Sequence, residues 1–331
     1  MDPMLKEKLQ KPATFTPWAN GKYEVVPGLK RFGTDFGNGE RDNKIFQIDN
    51  RFFEYRQNKL EAIKENREKY FCTHFLSRKV EIEICKWMIK RLEVEWPDFF
   101  KSDYDATKDE TCFFCFLTAE KIIVDRNFNL LRHDSSAPCL SLFEALCMQI
   151  QEDLAIWRLH VEGKKENLEQ IHLCAPNHWA AQDKIGRSFF DVHVPVAEIE
   201  KVNKSASIMV DAMIYKGPYI RFVWGVATDQ QLNHHPIPPI GVSPSQWEGR
   251  CFDPKNPTLF VRYERQTIWG FPEVGASLFA IRTYFSERVK NKESQALNLA
   301  LAEAIKTMSM KSMYYKGLHQ THRDVIDYLS Q

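Results

Sequence analysis

The stretch Tyr219-Ile-Arg-Phe-Val-Trp-Gly-Val-Ala-Thr228 is followed by Thr258-Leu-Phe-Val-Arg-Tyr-Glu-Arg-Gln-Thr-Ile268 and by Ala276-Ser-Leu-Phe-Ala-Ile-Arg-Thr-Tyr-Phe285. All three are rich in aromatic and β-branched residues, which predicts three long antiparallel strands. The segment between the first two, Asp229 to Pro257, holds Pro236, Pro238, Pro239, Gly241 and Pro244 and reads as a long loop. Loops of that length in compact domains often carry function. Sequential strands without crossover helices argue for an antiparallel sheet and an α+β class.

Working outward, Ser205–Tyr215 is apolar and helix-like, and Glu169–Cys174 is a short strand stopped at Pro176. Residues 176–196 form a compact loop with a short helix. Ser141 to Leu159 predicts one helix, with Leu142, Ala145, Leu146, Ile150, Leu154 and Trp157 inward, and with Ser141 and Glu144 at capping-box spacing. Phe113–Leu117 and Lys121–Asp125 read as short strands. Two amphipathic helices precede them, from Asn50 to Tyr70, capped by Asp49 or Asn50, and from Leu76 to Val94, ending before Pro97. Residues 1–50 are an irregular lead-in ending in the extended Ile45–Asp49, and two helices, Glu293–Met310 and His319–Leu329, close the chain. The expected organisation is one domain over residues 1–290, with an N-terminal helical extension, and C-terminal helices over 291–331 packed on it.

Composition narrows the class. Apolar residues make up 44% of the 331, ample for a core. The net charge is +1 with no basic block, so nucleic acid is not expected as a partner. No run approaches the roughly 18 apolar residues of a membrane span, and the first residues carry no apolar leader, so a cytoplasmic protein is expected, with no membrane contact. Of the 8 cysteines only Cys112 and Cys115 make a C-x-x-C pair, too few for a zinc ribbon or an iron–sulfur cluster. They are expected reduced and mostly buried. No glycine-rich phosphate loop opens a helix after a strand.

Chemistry concentrates between Ala175 and Val196. His193 is flanked by Phe189, Phe190, Val192, Val194 and Val196, and apolar surroundings favour a neutral imidazole. Such a residue is either a core histidine bonded to backbone or a ligand for haem iron. Lys184 and Arg187, a few residues upstream, offer cations for carboxylates. On the second strand Arg262, Glu264 and Gln266 share one face, and Tyr263, Arg265 and Thr267 the other. This polar run is either a solvated outer face or the wall of a polarised cavity. Arg221 sits alone among apolar neighbours, so it either reaches water or needs an anion such as Glu264. Adjacent Glu152 and Asp153 diverge on a helix, leaving one as a structural anion, and His234-His235 read as a solvated loop pair.

Three groups of residues together resemble one family: Gln151-Glu-Asp-Leu154; Pro176-x-x-Trp179 through Lys184-x-Gly186 to Val192-His193-x-Pro195-Val196; and Arg262-x-Glu264-Arg265-Gln266-Thr267 with Phe279-x-Ile281-Arg282-Thr283-Tyr284. The set is similar to the α subunit of the haem-dependent oxidative N-demethylases. The resemblance implies a PAS-like antiparallel sheet with haem b packed against it. It implies that His193 is the proximal iron ligand, with Trp179, Lys184 and Arg187 in the cofactor's surroundings. It implies a distal polar pocket of Arg221 and Glu264, with Arg262 and Arg265, holding a small secondary amine such as dimethylamine beside O2. Where the family often has Asn before the Trp of this strand, the chain has Val223. FMN, iron–sulfur and NAD(P)H chemistry is then expected on a reductase partner or partner subunits, since this chain carries no signature for them. A haem-based gas or redox sensor is the alternative that such a fold allows.

Overall fold

The computed structural model describes residues 3–160, 165–289 and 292–331. Its elements in chain order are α1 (Pro3–Lys8), β1 (Lys30–Arg31), α2 (Phe52–Tyr70), β2 (Phe71–Thr73), α3 (Arg78–Glu95), β3 (Phe100–Asp105), β4 (Glu110–Cys115), β5 (Glu120–Asp125), β6 (Leu130–Asp134), α4 (Leu142–Cys147), β7 (Asp153–His160), β8 (Lys165–His172), α5 (Phe189–His193), α6 (Glu200–Asn203), α7 (Ala206–Tyr215), β9 (Tyr219–Ala227), α8 (Pro244–Trp247), β10 (Phe260–Phe271), β11 (Ala276–Glu287), α9 (Gln295–Lys306), α10 (Met310–Tyr315) and α11 (His322–Ser330). Among the described residues these make two antiparallel sheets. One has seven strands in the order β1-β9-β10-β11-β7-β8-β2, and the other is the meander β3-β4-β5-β6. The α+β class holds.

The three strands read from the sequence form the centre of the larger sheet. Glu264 of β10 pairs with Val223 of β9 and with Thr283 of β11, which fixes the register of all three. Side chains alternate, so Trp224, Tyr263 and Tyr284 lie on one face, and Arg221, Glu264, Gln266 and Thr283 on the other. The first face packs against the N-terminal segment and the last helices, where Trp18, Tyr263, Tyr284, Leu301 and Val325 share a core. It continues under β7 and β11 into a core with α3, α4 and the small sheet. The second face is covered by α5, α6 and α7, with Trp157, Ile171, Phe189, Met209 and Ile268 buried between. Gly270 on β10 is required there, because a Cβ would stand 2.1 Å from the Ile214 carbonyl oxygen of α7.

One expected element is overturned. Ser141 does begin a helix, its hydroxyl accepting from the Glu144 backbone N–H, but that helix ends at Cys147. Residues 153–160 instead form β7, between β11 and β8. Leu154 and Ile156 enter one core and Ala155 and Trp157 the other, so the strand is buried on both faces. Such a strand loses its polar alternation, and its apolar spacing then imitates a helix. The chain also closes with three helices, since Thr307–Ser309 separates α9 from α10. Glu152 and Asp153 are consequently not helix neighbours, and both are buried carboxyl groups with structural partners. Glu152 accepts from the Gln47 N–H at 2.6 Å, and Asp153 from the N–H groups of Cys174 and Ala175 at 2.9 and 2.7 Å.

Candidate functional site

His193 is the last residue of α5, a helix of five residues that could not persist alone. Two caps hold its start. Ser188 accepts from the Asp191 N–H at 3.1 Å and donates back to the Asp191 carboxylate at 2.7 Å. Glu166 on β8 accepts from the Phe189 N–H through both oxygens, at 2.9 and 2.8 Å. The Phe189 carbonyl in turn accepts from His193 Nδ1 at 2.7 Å, and the two rings lie 4.2 Å apart. With its proton on Nδ1, the imidazole keeps Nε2 as a free lone pair. Burial lowers the His193 pKa to about 4, against the opposing effect of the Phe189 hydrogen bond, and the Arg221 and Lys184 charges lower it further. A neutral imidazole with one nitrogen anchored and the other free is the form that ligates iron.

The charge of Arg221 reaches His193 because both lie on the covered face of the sheet. Arg221 is half-buried, its Nε is enclosed without a hydrogen-bond partner, and burial lowers its pKa while the Glu264 charge raises it. It pairs in register with Gln266, two residues along from Glu264 on the same face. Gln266 Nε2 donates to Glu264 Oε2 at 2.8 Å. The expected ion pair between Arg221 and Glu264 is not closed, since no contact within 4 Å joins them among the described residues. The arrangement offers a carboxylate, an unpaired guanidinium and a free imidazole nitrogen on one face, with Tyr219, Phe279, Val192 and Val196 as apolar surroundings. An iron porphyrin takes such a nitrogen as its ligand and packs against apolar walls, so the donor chemistry of these residues fits the group.

The other sequence candidates divide. Arg262 lies on the face of Glu264, but its guanidinium donates to the carbonyls of Ala175, Pro176, Gln231 and Leu232 at 2.7 to 3.3 Å. It clamps the loop after β8 to the long loop. Arg265 points to the opposite face and donates to the carbonyls of Lys44 and Ile45 at 2.8 and 3.2 Å. Lys184 is half-buried, with its ammonium donating to the Val192 carbonyl. Arg187 is exposed, and Trp179 packs half-buried against the core beneath α5.

Sequence reading missed Lys316, which follows α10 and whose charge interacts with Glu264, Arg250 and Arg221. No local motif announces it, because it arrives from about fifty residues downstream. His234 and His235 are not solvated: both are buried, and His234 bonds the Trp247 carbonyl at 2.6 Å and Asp229 at 3.0 Å. Among the described residues one grouping is tight enough for a metal, Asp153, His172 and Cys174, with ligand atoms within 4.8 Å of one another. Both Asp153 oxygens are already taken by backbone N–H groups, so the grouping reads as a packed polar core.

The description haem-dependent oxidative N-demethylase, alpha subunit-like, matches residues 38–326. The chain belongs to this family. The match spans both the helix bearing His193 and the strand bearing Glu264, so haem dependence and oxidative N-demethylation are the family-level properties to set against the site. No curated protein matches the chain. No helix among the described residues is long and apolar enough to cross a membrane.

Glu166 yields a testable expectation here. Burial raises its pKa to about 7, with the Phe189 hydrogen bond opposing and Asp191 adding. A carboxylate whose pKa is higher folded than unfolded binds its proton more tightly when folded. Stability from this group therefore falls as pH rises from about 4.5 to about 7. Glu166→Ala removes the cap and costs about 1 kcal/mol, read as a lower denaturation midpoint. An unchanged midpoint and an unchanged His193 environment by NMR would discard the capping role.

Proposed function

We propose that this chain is the haem-binding catalytic component of an oxidative N-demethylase acting on a small secondary amine. The observation that carries the reading is the imidazole of His193. It is anchored through Nδ1, held neutral, and shares the covered face of the sheet with Arg221 and Glu264. His193 would ligate the iron through Nε2, with Trp179, Lys184 and Arg187 around the cofactor and the sheet as the wall on which the haem packs, as in a PAS-like domain. Haem b, when bound, supplies oxygen activation and the redox chemistry.

The chain's residues supply position and charge. Glu264, oriented by Gln266, holds the substrate ammonium and takes its proton, and Arg221 supplies an unpaired guanidinium to the same pocket. The balance requires O2, two electrons and two protons. One oxygen atom leaves in formaldehyde with the lost methyl carbon, the other leaves as water, and the amine departs one methyl shorter. Arg262 and Arg265 act as positioning residues, given their bonds to backbone carbonyls. The electrons come from a reductase partner carrying flavin, iron–sulfur and nicotinamide chemistry, which the family's alpha-subunit character supports.

The test is single-turnover release of formaldehyde from dimethylamine by the reduced, haem-loaded protein. Glu264→Gln keeps the hydrogen bond with Gln266 and removes the charge. Loss of one charge-assisted hydrogen bond, about 1.5–3 kcal/mol, lowers amine affinity by roughly ten- to a hundredfold. Equal affinity in the variant, measured by optical titration, rules out Glu264 as the ammonium partner.

A further inference from the structure

The charges around Glu264 do not balance. Arg221 lies on β9 two residues from Val223, the register partner of Glu264, and makes no hydrogen bond or ion pair among the described residues. Lys316 approaches from the other side. Its stem lies along Gly225, where a Cβ would meet Lys316 Cδ at 3.6 Å and Nζ at 4.0 Å. Gly225 pairs with Arg262 and lies two residues from Val223, the register partner of Glu264. Lys316 Nζ has ring contacts, to Tyr23 at 5.9 Å and Tyr315 at 5.6 Å, but no hydrogen bond among the described residues. Arg250 packs beside them, with its Cδ 2.5 Å from where a Cβ on Gly317 would stand. Arg262 is satisfied by four carbonyls, and Asp229 is engaged by His234.

One carboxylate thus faces two cations, Arg221 and Lys316, that have no other close anionic partner, while the nearby Arg250 is countered by Glu248. Unpaired enclosed charge is costly unless a ligand neutralises it. A plain dialkylammonium would bring a further cation into this set. Diagonal neighbours across paired strands stand about 7–8 Å apart at the backbone, closer at converging side-chain ends. That spacing suits a ligand carrying an ammonium and a carboxylate a few ångströms apart.

Resting on the proposed N-demethylase reading, we propose that the substrate is an N-methylated α-amino acid, its ammonium on Glu264 and its carboxylate received by Arg221 and Lys316. Burial lowers the Lys316 pKa to about 8, with Glu264 opposing and Arg250 and Arg221 lowering it further, as an under-compensated cation requires. Tyr315, whose phenol is also influenced by Glu264 and Arg250, completes this side.

The probe is N-methylglycine, titrated into the haem-loaded protein beside dimethylammonium and acetate, with optical and calorimetric readouts. The expected result is N-methylglycine binding at least tenfold tighter than dimethylammonium. In Lys316→Met and Arg221→Gln that preference falls at least tenfold, while haem content and denaturation midpoint are unchanged. A response to dimethylammonium with none to N-methylglycine overturns the assignment. So does a loss of haem in both variants, which would mean that the cations serve a porphyrin propionate. If the protein carries no pigment at all, the N-demethylase reading fails separately. Calorimetry on that protein still decides the carboxylate site: N-methylglycine heat lost in Lys316→Met upholds it, and no heat in the unsubstituted protein overturns it.

Discussion

If His193 is the haem ligand as proposed, replacing it by alanine removes the haem absorbance of the purified protein. The imidazole is anchored to the Phe189 carbonyl at 2.7 Å, so its free nitrogen has a fixed direction. Losing a group that merely supports a metal ligand costs roughly 10–100-fold in affinity, and losing the ligand itself costs more. The fold should survive, because His193 ends a short helix whose caps, Ser188 and Glu166, are untouched. Retention of the pigment with the same ligand-field bands in His193→Ala would remove the basis of the catalytic reading. The pH dependence follows from the same environment. In the haem-free protein this imidazole titrates at about 4, below its ordinary 6.5. Its contribution to stability is therefore full above pH 6.5 and lost as pH falls through about 4. NMR titration of the ring should find the transition in that lower range, and a transition near 6.5 would mean that the residue is solvated.

The largest expected loss of stability comes from Asp49→Ala. Asp49 Oδ2 accepts from Arg282 Nη2 at 2.7 Å, and both side chains are buried. The same carboxylate accepts from the Arg51 N–H at 2.9 Å, at the start of α2, and from Gln151 Nε2 at 3.0 Å. Arg282 is enclosed by rings, 3.8 Å from Tyr55 and 4.7 Å from Tyr284, so water cannot replace its lost partner. Breaking a buried pair from one side costs about 3–5 kcal/mol, because a desolvated charge is left alone. The exposed pair of Lys8 and Asp98 provides the comparison: Asp98→Ala should cost about 1 kcal/mol or less. Denaturant titration measures both. Similar small losses for the two variants would show that the Asp49 pair is not what fastens the N-terminal segment to the sheet.

How far the residues speak for themselves varies along the chain. The three central strands were legible because each presents a long aromatic and β-branched run bounded by turn residues. The helix Arg78–Glu95 was legible because its buried face is apolar. Phe52–Tyr70 was legible as a helix but not in its orientation: Phe53, Leu60 and Ile63 suggest an apolar face, yet the buried side is Phe52, Tyr55, Arg56, Lys59 and Ala62. Asp153–His160 was not legible, because burial on both sides erased the alternation that distinguishes a strand. The run from Glu264 to Thr267 foretold a polar strand, and its faces followed from side-chain alternation. What each arginine does there did not follow. Arg262 and Arg265 found backbone carbonyls brought by distant loops, whereas Arg221 found none.

Local sequence therefore determined the secondary elements with one-sided patterns, the family likeness and part of the apolar setting of His193, since Phe189 is buried but Phe190 and Val194 are exposed. Tertiary structure alone decided which charges are spent and which are free. It brought Glu166 to the start of the His193 helix and Lys316 from the end of the chain to Glu264. The reason is physical. Backbone pattern is set by near neighbours, whereas the worth of a charge depends on partners that only folding brings within reach.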